Sequence, residues 1–205
     1  MTRARKPVGR ITFVGAGPGD PGLLATNAVS ALRTAEVLVA DASIPTAVTD
    51  LAPVPVQYAE GAPADVAKLL LAEARNGASV VRLVRGDALS DDGAVKEALA
   101  VSRTVVPFEV VPGLSAAAGT ASYAGVPLGA VHTEADLTNA TVVDYESLAH
   151  APGTLVLTVP SEEVVVTAQE LVANGLKPDT AITVSSDGTG NGQHTAAGTL
   201  GEIDM

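Results

Sequence analysis

Short runs of Val, Ile and Leu recur along the chain and alternate with longer stretches whose apolar residues repeat every three to four positions. The runs are RITFVG (10–15), EVLVA (36–40), VPVQY (54–58), SVVRLV (79–84) and FEVVP (108–112). Each has the length and β-branched content of a buried strand. Between them lie LLATNAVSALRTA (23–35), ADVAKLLLAEARNG (64–77) and DDGAVKEALAVSR (91–103), which have helix-forming composition, the second closed by Gly77 as a left-handed stop. Strand and helix alternate, so the pattern predicts an α/β fold with a largely parallel sheet covered on both faces.

The same alternation resumes after a turn-rich segment, GVPLGAVHTEAD (125–136), with strand TLVLTV (154–159), helix SEEVVVTAQELVANG (161–175) and strand AITVSS (181–186). This predicts two lobes, residues 1–127 and a smaller C-terminal lobe over 128–205. Open parallel sheets bind ligands beyond the carboxyl ends of their strands. Here those ends carry the loops 15–22, 41–45, 85–90 and 112–116.

Composition narrows the chemistry. With no cysteine there is no disulfide framework, no thiolate zinc site and no iron–sulfur cluster, and a reducing cytoplasm is the expected compartment. No apolar run reaches membrane-spanning length. Arg3, Arg5, Lys6 and Arg10 supply four of 12 basic residues, and all 23 acids follow them, so the body of the chain is strongly acidic. A nucleic-acid site needs a basic stripe to displace counterions, and none is present. His132, His150 and His194 share no ligand spacing, and no metal site is expected.

The first loop, Gly15-Ala16-Gly17-Pro18-Gly19-Asp20-Pro21-Gly22, follows a strand and invites a dinucleotide reading, with Asp41 at the end of the second strand as the ribose-binding acid. The spacing fails, because the third glycine of that fingerprint falls on Asp20 and Pro21 delays the helix. A tight turn with no ligand stays open for this loop. In Arg85-Gly86-Asp87-Ala88-Leu89-Ser90, Asp87 equally suits a local cap. The third loop, Val111-Pro112-Gly113-Leu114-Ser115-Ala116, leads into a helix of small residues.

In order, VGAGPGDPGLL (14–24), VVRLVRGDAL (80–89) and FEVVPGLSAAAGTASYAGVPL (108–128) resemble the tetrapyrrole methylase family, in particular its uroporphyrinogen-III C-methyltransferases. The resemblance runs from Arg10 to about Ile203 and ends in GQHTAAGTLGEI (192–203), a late strand and turn. The basic start most resembles the N-terminal part of actinobacterial fusions with uroporphyrinogen-III synthase. The family implies S-adenosylmethionine in a cleft between the two lobes, a homodimer and uroporphyrinogen III as substrate, with a synthase domain as a possible partner. By position, Gly17 and Pro18 border the cofactor, Gly86, Asp87, Ser115 and Ala116 meet it, Gly188 and Thr189 make a late contact, and Asp41 is the candidate proton acceptor.

Several positions depart from the family. Arg85 stands where members carry a glycine, and that cation is expected to crowd a sulfonium; Val159-Pro160 replaces a Met-Gly contact. The Asp-Arg pair reads Asp41-Ala42, the Gly-Lys-Arg stretch reads Ala59-Glu60-Gly61, and a Thr-His-Arg reads Gly129-Ala130-Val131. The Gly-Arg-Gly-Gly-Glu-Glu stretch reads Asp91-Asp92-Gly93-Ala94-Val95-Lys96, and the chain stops at Met205, before the family's closing strand. Uroporphyrinogen is an octacarboxylate, and each charge-assisted bond to a carboxylate contributes about 1.5–3 kcal/mol. The losses imply weak or no methyl transfer to it, a pseudoenzyme kept for stability, dimerisation or docking. An active uroporphyrinogen-III C-methyltransferase and a methylase with a less anionic substrate are the alternatives.

Overall fold

The computed structural model describes residues 7–190 and 192–203, so the basic residues at 3, 5 and 6 and the chain end lie outside the described residues. The chain divides into two compact units, Met1–Ala116 and Ala117–Met205, ahead of the boundary expected near residue 128.

Unit 1 is a five-stranded parallel sheet built from β1 (Arg10–Gly15), β2 (Val37–Ala40), β3 (Val56–Tyr58), β4 (Ser79–Val84) and β5 (Phe108–Val111), in the order β3-β2-β4-β1-β5. Strand periodicity splits its side chains between two cores. Ile11, Phe13, Val39, Val80 and Val84 pack with α3 (Pro63–Arg75) and α4 (Asp92–Ser102). Val14, Leu38, Ala40, Val81 and Leu83 pack with α1 (Thr26–Arg33) and α2 (Thr46–Thr49). Both faces are therefore covered, as near-continuous apolar strands require. The full burial of a Leu or Val is worth about 1.5–3 kcal/mol, so the two layers supply most of the drive to fold.

The predicted helices are shorter at their ends because specific residues stop them. Asp20 caps a 3-10 turn at Pro21–Leu23 before α1 begins, and Asp91 caps α4 through the Ala94 amide at 2.7 Å. Gly77 follows α3 with φ 90° and provides the left-handed exit.

The expected small-residue helix, α5 (Ala116–Tyr123), starts at the last residue of unit 1 and lies otherwise in unit 2. Unit 2 then holds a parallel pair, β6 (His132–Asp136) with β7 (Thr154–Thr158), and an antiparallel pair, β8 (Ala181–Ser186) with β9 (His194–Thr199). Strand β6 replaces part of the segment expected to be turn; its polar His-Thr-Glu-Ala-Asp sequence hides a strand that becomes evident only when paired with Leu155 and Leu157. Helices α6 (Tyr145–Ala149) and α7 (Val164–Ala173) complete it, around Ala168, Leu171 and Leu200. Among the described residues no helix is long and apolar enough to cross a membrane.

Candidate functional site

Strands β1 and β4 are neighbours whose chain connections leave in opposite directions. From β1 the chain passes through α1 to β2, and from β4 it passes through α4 to β5 on the other side. Such a switch in strand order opens a crevice at the carboxyl ends, the favoured ligand position in open α/β sheets. The loops after β1 and β4 meet there. The Gly17 amide donates to the Gly86 carbonyl at 3.1 Å and the Gly86 amide to the Gly17 carbonyl at 2.9 Å. Both residues have φ of 67°, which glycine adopts without strain.

The third loop closes on the same point. A Cβ on Gly15 would lie 2.5 Å from the Gly113 nitrogen and 2.6 Å from the Gly86 oxygen, and one on Gly113 would meet the Gly86 carbonyl and the Gly15 backbone. No side chain fits at either position. The amide of Ala116 lies just beyond, 3.7 Å from where a Cβ of Gly86 would stand. Loops 15–22, 85–90 and 112–116 thus share a frame of bare backbone. Loop 41–45 joins it through Pro45, whose ring is 3.3 Å from a Cβ placed on Gly19.

Asp87 is the clasp of this frame. Its Oδ1 accepts from the Leu89 amide at 3.0 Å and its Oδ2 from the Gly113 amide at 2.9 Å. The local cap expected as one reading is present, and the second bond ties two site loops together. Pro18 is buried, and Ser115 and Ala116 are half-buried.

Asp41 stands at the end of β2 with a quarter of its side chain exposed, 25%. Its Oδ2 accepts from the Arg85 amide at 3.1 Å, and its Oδ1 lies 2.7 Å from Nη1 of Arg82. Arg82 is buried mid-strand on the face covered by α4, where Glu97 takes Nε at 2.8 Å and Nη2 at 3.1 Å. Burial works against the charge on Arg82, but the hydrogen bond to Glu97 and the charge of Asp41 more than offset it, and its pKa lies above the ordinary arginine value. The sequence pattern singles out neither Arg82 nor Glu97 as part of the site. The available signal was a lone charge inside SVVRLV, in a sheet buried on both sides, which requires a buried partner.

Arg85 uses its backbone, not its side chain, in the frame. The side chain is exposed and makes no hydrogen bond or ion pair among the described residues. It is also the one basic residue on the loops 15–22, 41–45, 59–62, 85–91 and 112–116, which carry Asp20, Asp41, Glu60, Asp87 and Asp91.

Within unit 2, Gly188 packs against Thr120, leaving no room for a Cβ beside its hydroxyl. Thr189 is 6% exposed and holds φ of 65°, an unusual conformation for a β-branched residue. Its amide donates to Oε1 of Gln193 at 2.7 Å, but its buried hydroxyl has no partner. Val159 and Pro160 are half-buried, and the Pro160 carbonyl starts the turn Ser161–Glu163. Among the described residues no three His, Asp or Glu side chains group as metal ligands.

A doubly covered parallel sheet with a glycine frame at its switch point defines an open α/β protein whose candidate ligand position is the carboxyl edge of the sheet. The family model of the Tetrapyrrole (Corrin/Porphyrin) Methylases matches residues 10–204, and the chain belongs to that family. It is 34% identical to a siroheme synthase of Neisseria meningitidis serogroup B (strain ATCC BAA-335 / MC58), over 99% of this chain and 46% of the relative. It is 31% identical to siroheme synthase 1 of Yersinia enterocolitica serotype O:8 / biotype 1B (strain NCTC 13174 / 8081), over 96% of this chain and 45% of the relative. The chain therefore spans about half the length of the curated relatives it matches, 46% in the Neisseria case. Among solved structures, uroporphyrin-III C-methyl transferase from Thermus thermophilus, complexed with S-adenyl homocysteine, matches with TM-score 0.81 and 31% identity, over 96% of this chain and 90% of that one. A cobalt precorrin-4 methyltransferase shares the fold with TM-score 0.82 at 22% identity, over 95% of this chain and 87% of that one.

Proposed function

We propose that this domain binds S-adenosylmethionine and is a uroporphyrinogen-III C-methyltransferase-like domain of tetrapyrrole biosynthesis with weak or no methyl transfer to uroporphyrinogen III. The observation that carries the reading is the contrast at the carboxyl edge. The backbone frame of Gly15, Gly17, Gly86 and Gly113 is closed and satisfied, while the surrounding loops offer one cation, Arg85, against five carboxylates. A cofactor held by backbone and small side chains needs the first feature, and an octacarboxylate substrate needs several cations.

The residues present suit the cofactor. In unit 1, Gly17 and Gly86 admit close approach and Ser115 and Ala116 begin the loop-to-helix turn beside them; the family resemblance alone adds Gly188 and Thr189 of unit 2 as a late contact. Bound there, S-adenosylmethionine would supply an activated methyl group on its sulfonium. The part of this chain is to hold the adenosine and methionine groups against bare backbone and to keep Asp41 near a cation. Val159 and Pro160 in place of a Met-Gly contact weaken that grip without removing it. Dimerisation, a cytoplasmic setting and docking to a uroporphyrinogen-III synthase domain belong to the same reading.

An active transferase is the second reading, favoured by one observation. Asp41 is placed by two firm contacts and still keeps 25% of its side chain in the open, as a proton acceptor must. Calorimetric titration with S-adenosylmethionine and S-adenosylhomocysteine, followed by label transfer to uroporphyrinogen III beside the Thermus relative, separates the two. Micromolar cofactor binding is expected, about −8 kcal/mol. Loss of even two charge-assisted bonds to substrate predicts transfer lower by roughly 100-fold or more. Transfer within tenfold of the Thermus protein would overturn the first reading and establish the second, and absence of cofactor binding to both wild type and Arg85→Gly would sink both.

A further inference from the structure

The buried charges on β4 and α4 take no part in the glycine frame, yet they end on its one candidate acid. Arg82 lies on the central strand with Phe13 and Val39 as register neighbours, and is 3% exposed; Glu97 is 2% exposed. Apolar side chains at both positions are often nearly as stabilising or more so, since a buried ion pair commonly fails to recover its desolvation cost. Stability does not explain the pair. Its geometry does. Glu97 occupies Nε and Nη2, the Leu83 carbonyl accepts from Nη1 at 2.8 Å, and the same Nη1 faces Asp41 at 2.7 Å. The guanidinium is held in one rotation and shows Asp41 a single nitrogen.

That leaves the second oxygen of Asp41 free to take the Arg85 amide at 3.1 Å, on the loop that crosses to Gly17. Without Glu97, Arg82 could turn and offer two parallel N–H groups, the fork geometry that carboxylates prefer. Both Asp41 oxygens would then be drawn inward and the Arg85 amide released. We propose that Glu97 is a positioning residue that acts through Arg82 to aim the Asp41 carboxylate at the carboxyl edge of the sheet. This rests on reading Asp41 as the acid of the site; Glu97 itself lies on α4, away from the loops.

The test is site-resolved amide exchange by NMR on the full chain, which needs no cofactor. In Glu97→Gln the Arg85 amide is expected to exchange roughly tenfold or more faster, with the amides of the β4 ladder unchanged. Glu97→Asp keeps the carboxylate but withdraws it by one methylene, and is expected to give a smaller rise confined to Arg85. Unchanged exchange at Arg85 overturns the proposal, as does a uniform rise along β4, which would mean that Glu97 merely stabilises the sheet. Should Glu97→Gln fail to fold, Glu97→Asp decides between the same outcomes: a rise confined to Arg85 supports the role, and an unchanged or uniform pattern overturns it. A selective rise in a chain that does not bind S-adenosylmethionine keeps the positioning role and removes the cofactor reading. Cofactor binding with no selective rise does the reverse.

Discussion

The three inner strands of unit 1 and the paired strands of unit 2 are covered to different degrees. In unit 1 every residue of β2 after Val37, and of β1 and β4 after the first, is buried, and the polar exceptions are paired. In unit 2 all five residues of β7 are only half-buried and β9 is mostly exposed, around a core of Ala168, Leu171 and Leu200. Strain follows the same division. Among the described residues both non-glycine positions with positive φ, Asp187 and Thr189, and both buried hydroxyls without partners, Thr167 and Thr189, lie in unit 2. Among the described residues each buried polar side chain of unit 1 has a partner within the chain, and unit 2 holds two, Thr167 and Thr189, whose hydroxyls have none.

The largest effect should come from breaking the satisfied half. Arg82→Leu strands Glu97 in an aliphatic layer, and removal of one member of a buried pair costs about 3–5 kcal/mol. Chemical denaturation should show this loss, and the double change Arg82→Leu with Glu97→Leu should recover much of it. If the single change cost under about 1 kcal/mol, the pair would behave as an exposed one and the contrast between units would fail.

These two residues also mark where sequence reading stops. The glycine loops were legible because close backbone approach leaves a local signature: Gly15, Gly17, Gly86 and Gly113 sit directly after strands whose spacing is plain. The parallel sheet was legible for the same reason, since Val and Ile runs of strand length recur along the first half of the chain. Arg82 and Glu97 are fifteen residues apart on different elements, and only the α4 cover over β4 brings them together. Strand β6 was hidden because its polar residues alternate without β-branched neighbours of apolar type, and the pairing that reveals it is with β7, some twenty residues later. The role of Asp87 lay between these cases. Its position was evident, but its bond to Gly113 depends on a third loop.

A second test sharpens the contrast from the other side. Thr189→Gly removes a positive-φ strain of about 1–3 kcal/mol and an unpaired buried hydroxyl, against a chain-entropy cost of about 0.5–1 kcal/mol. The free protein should become more stable by roughly 1–2 kcal/mol in thermal or chemical unfolding. On the proposal that Thr189 makes the late cofactor contact, its affinity for S-adenosylmethionine should fall at the same time. A destabilised variant would mean that the packing of the buried Thr189 side chain outweighs its strain and its unpaired hydroxyl.

The smallest effect concerns acid. Asp144 caps α6 through the Ser147 amide at 3.0 Å and the Ser147 hydroxyl at 2.7 Å, and these bonds, the backbone one first, hold its pKa below the ordinary Asp value. A carboxyl group with a lowered folded pKa contributes stability above its unfolded pKa and loses it as pH falls through the folded one. Arg82 has the opposite sign: its raised pKa contributes below the unfolded value and is lost only in strong alkali, outside any working range. Acid should therefore loosen the Asp144 cap of unit 2 as that carboxyl group protonates, while the Arg82 charge itself is untouched by acid. Asp144→Asn should lower the melting temperature slightly at neutral pH and make no difference below the range where Asp144 is protonated. An equal loss at both extremes would assign the role of Asp144 to shape instead of charge, and the acid sensitivity of unit 2 would need another source, such as Glu202, whose pKa is lowered by the backbone and hydroxyl of Thr199.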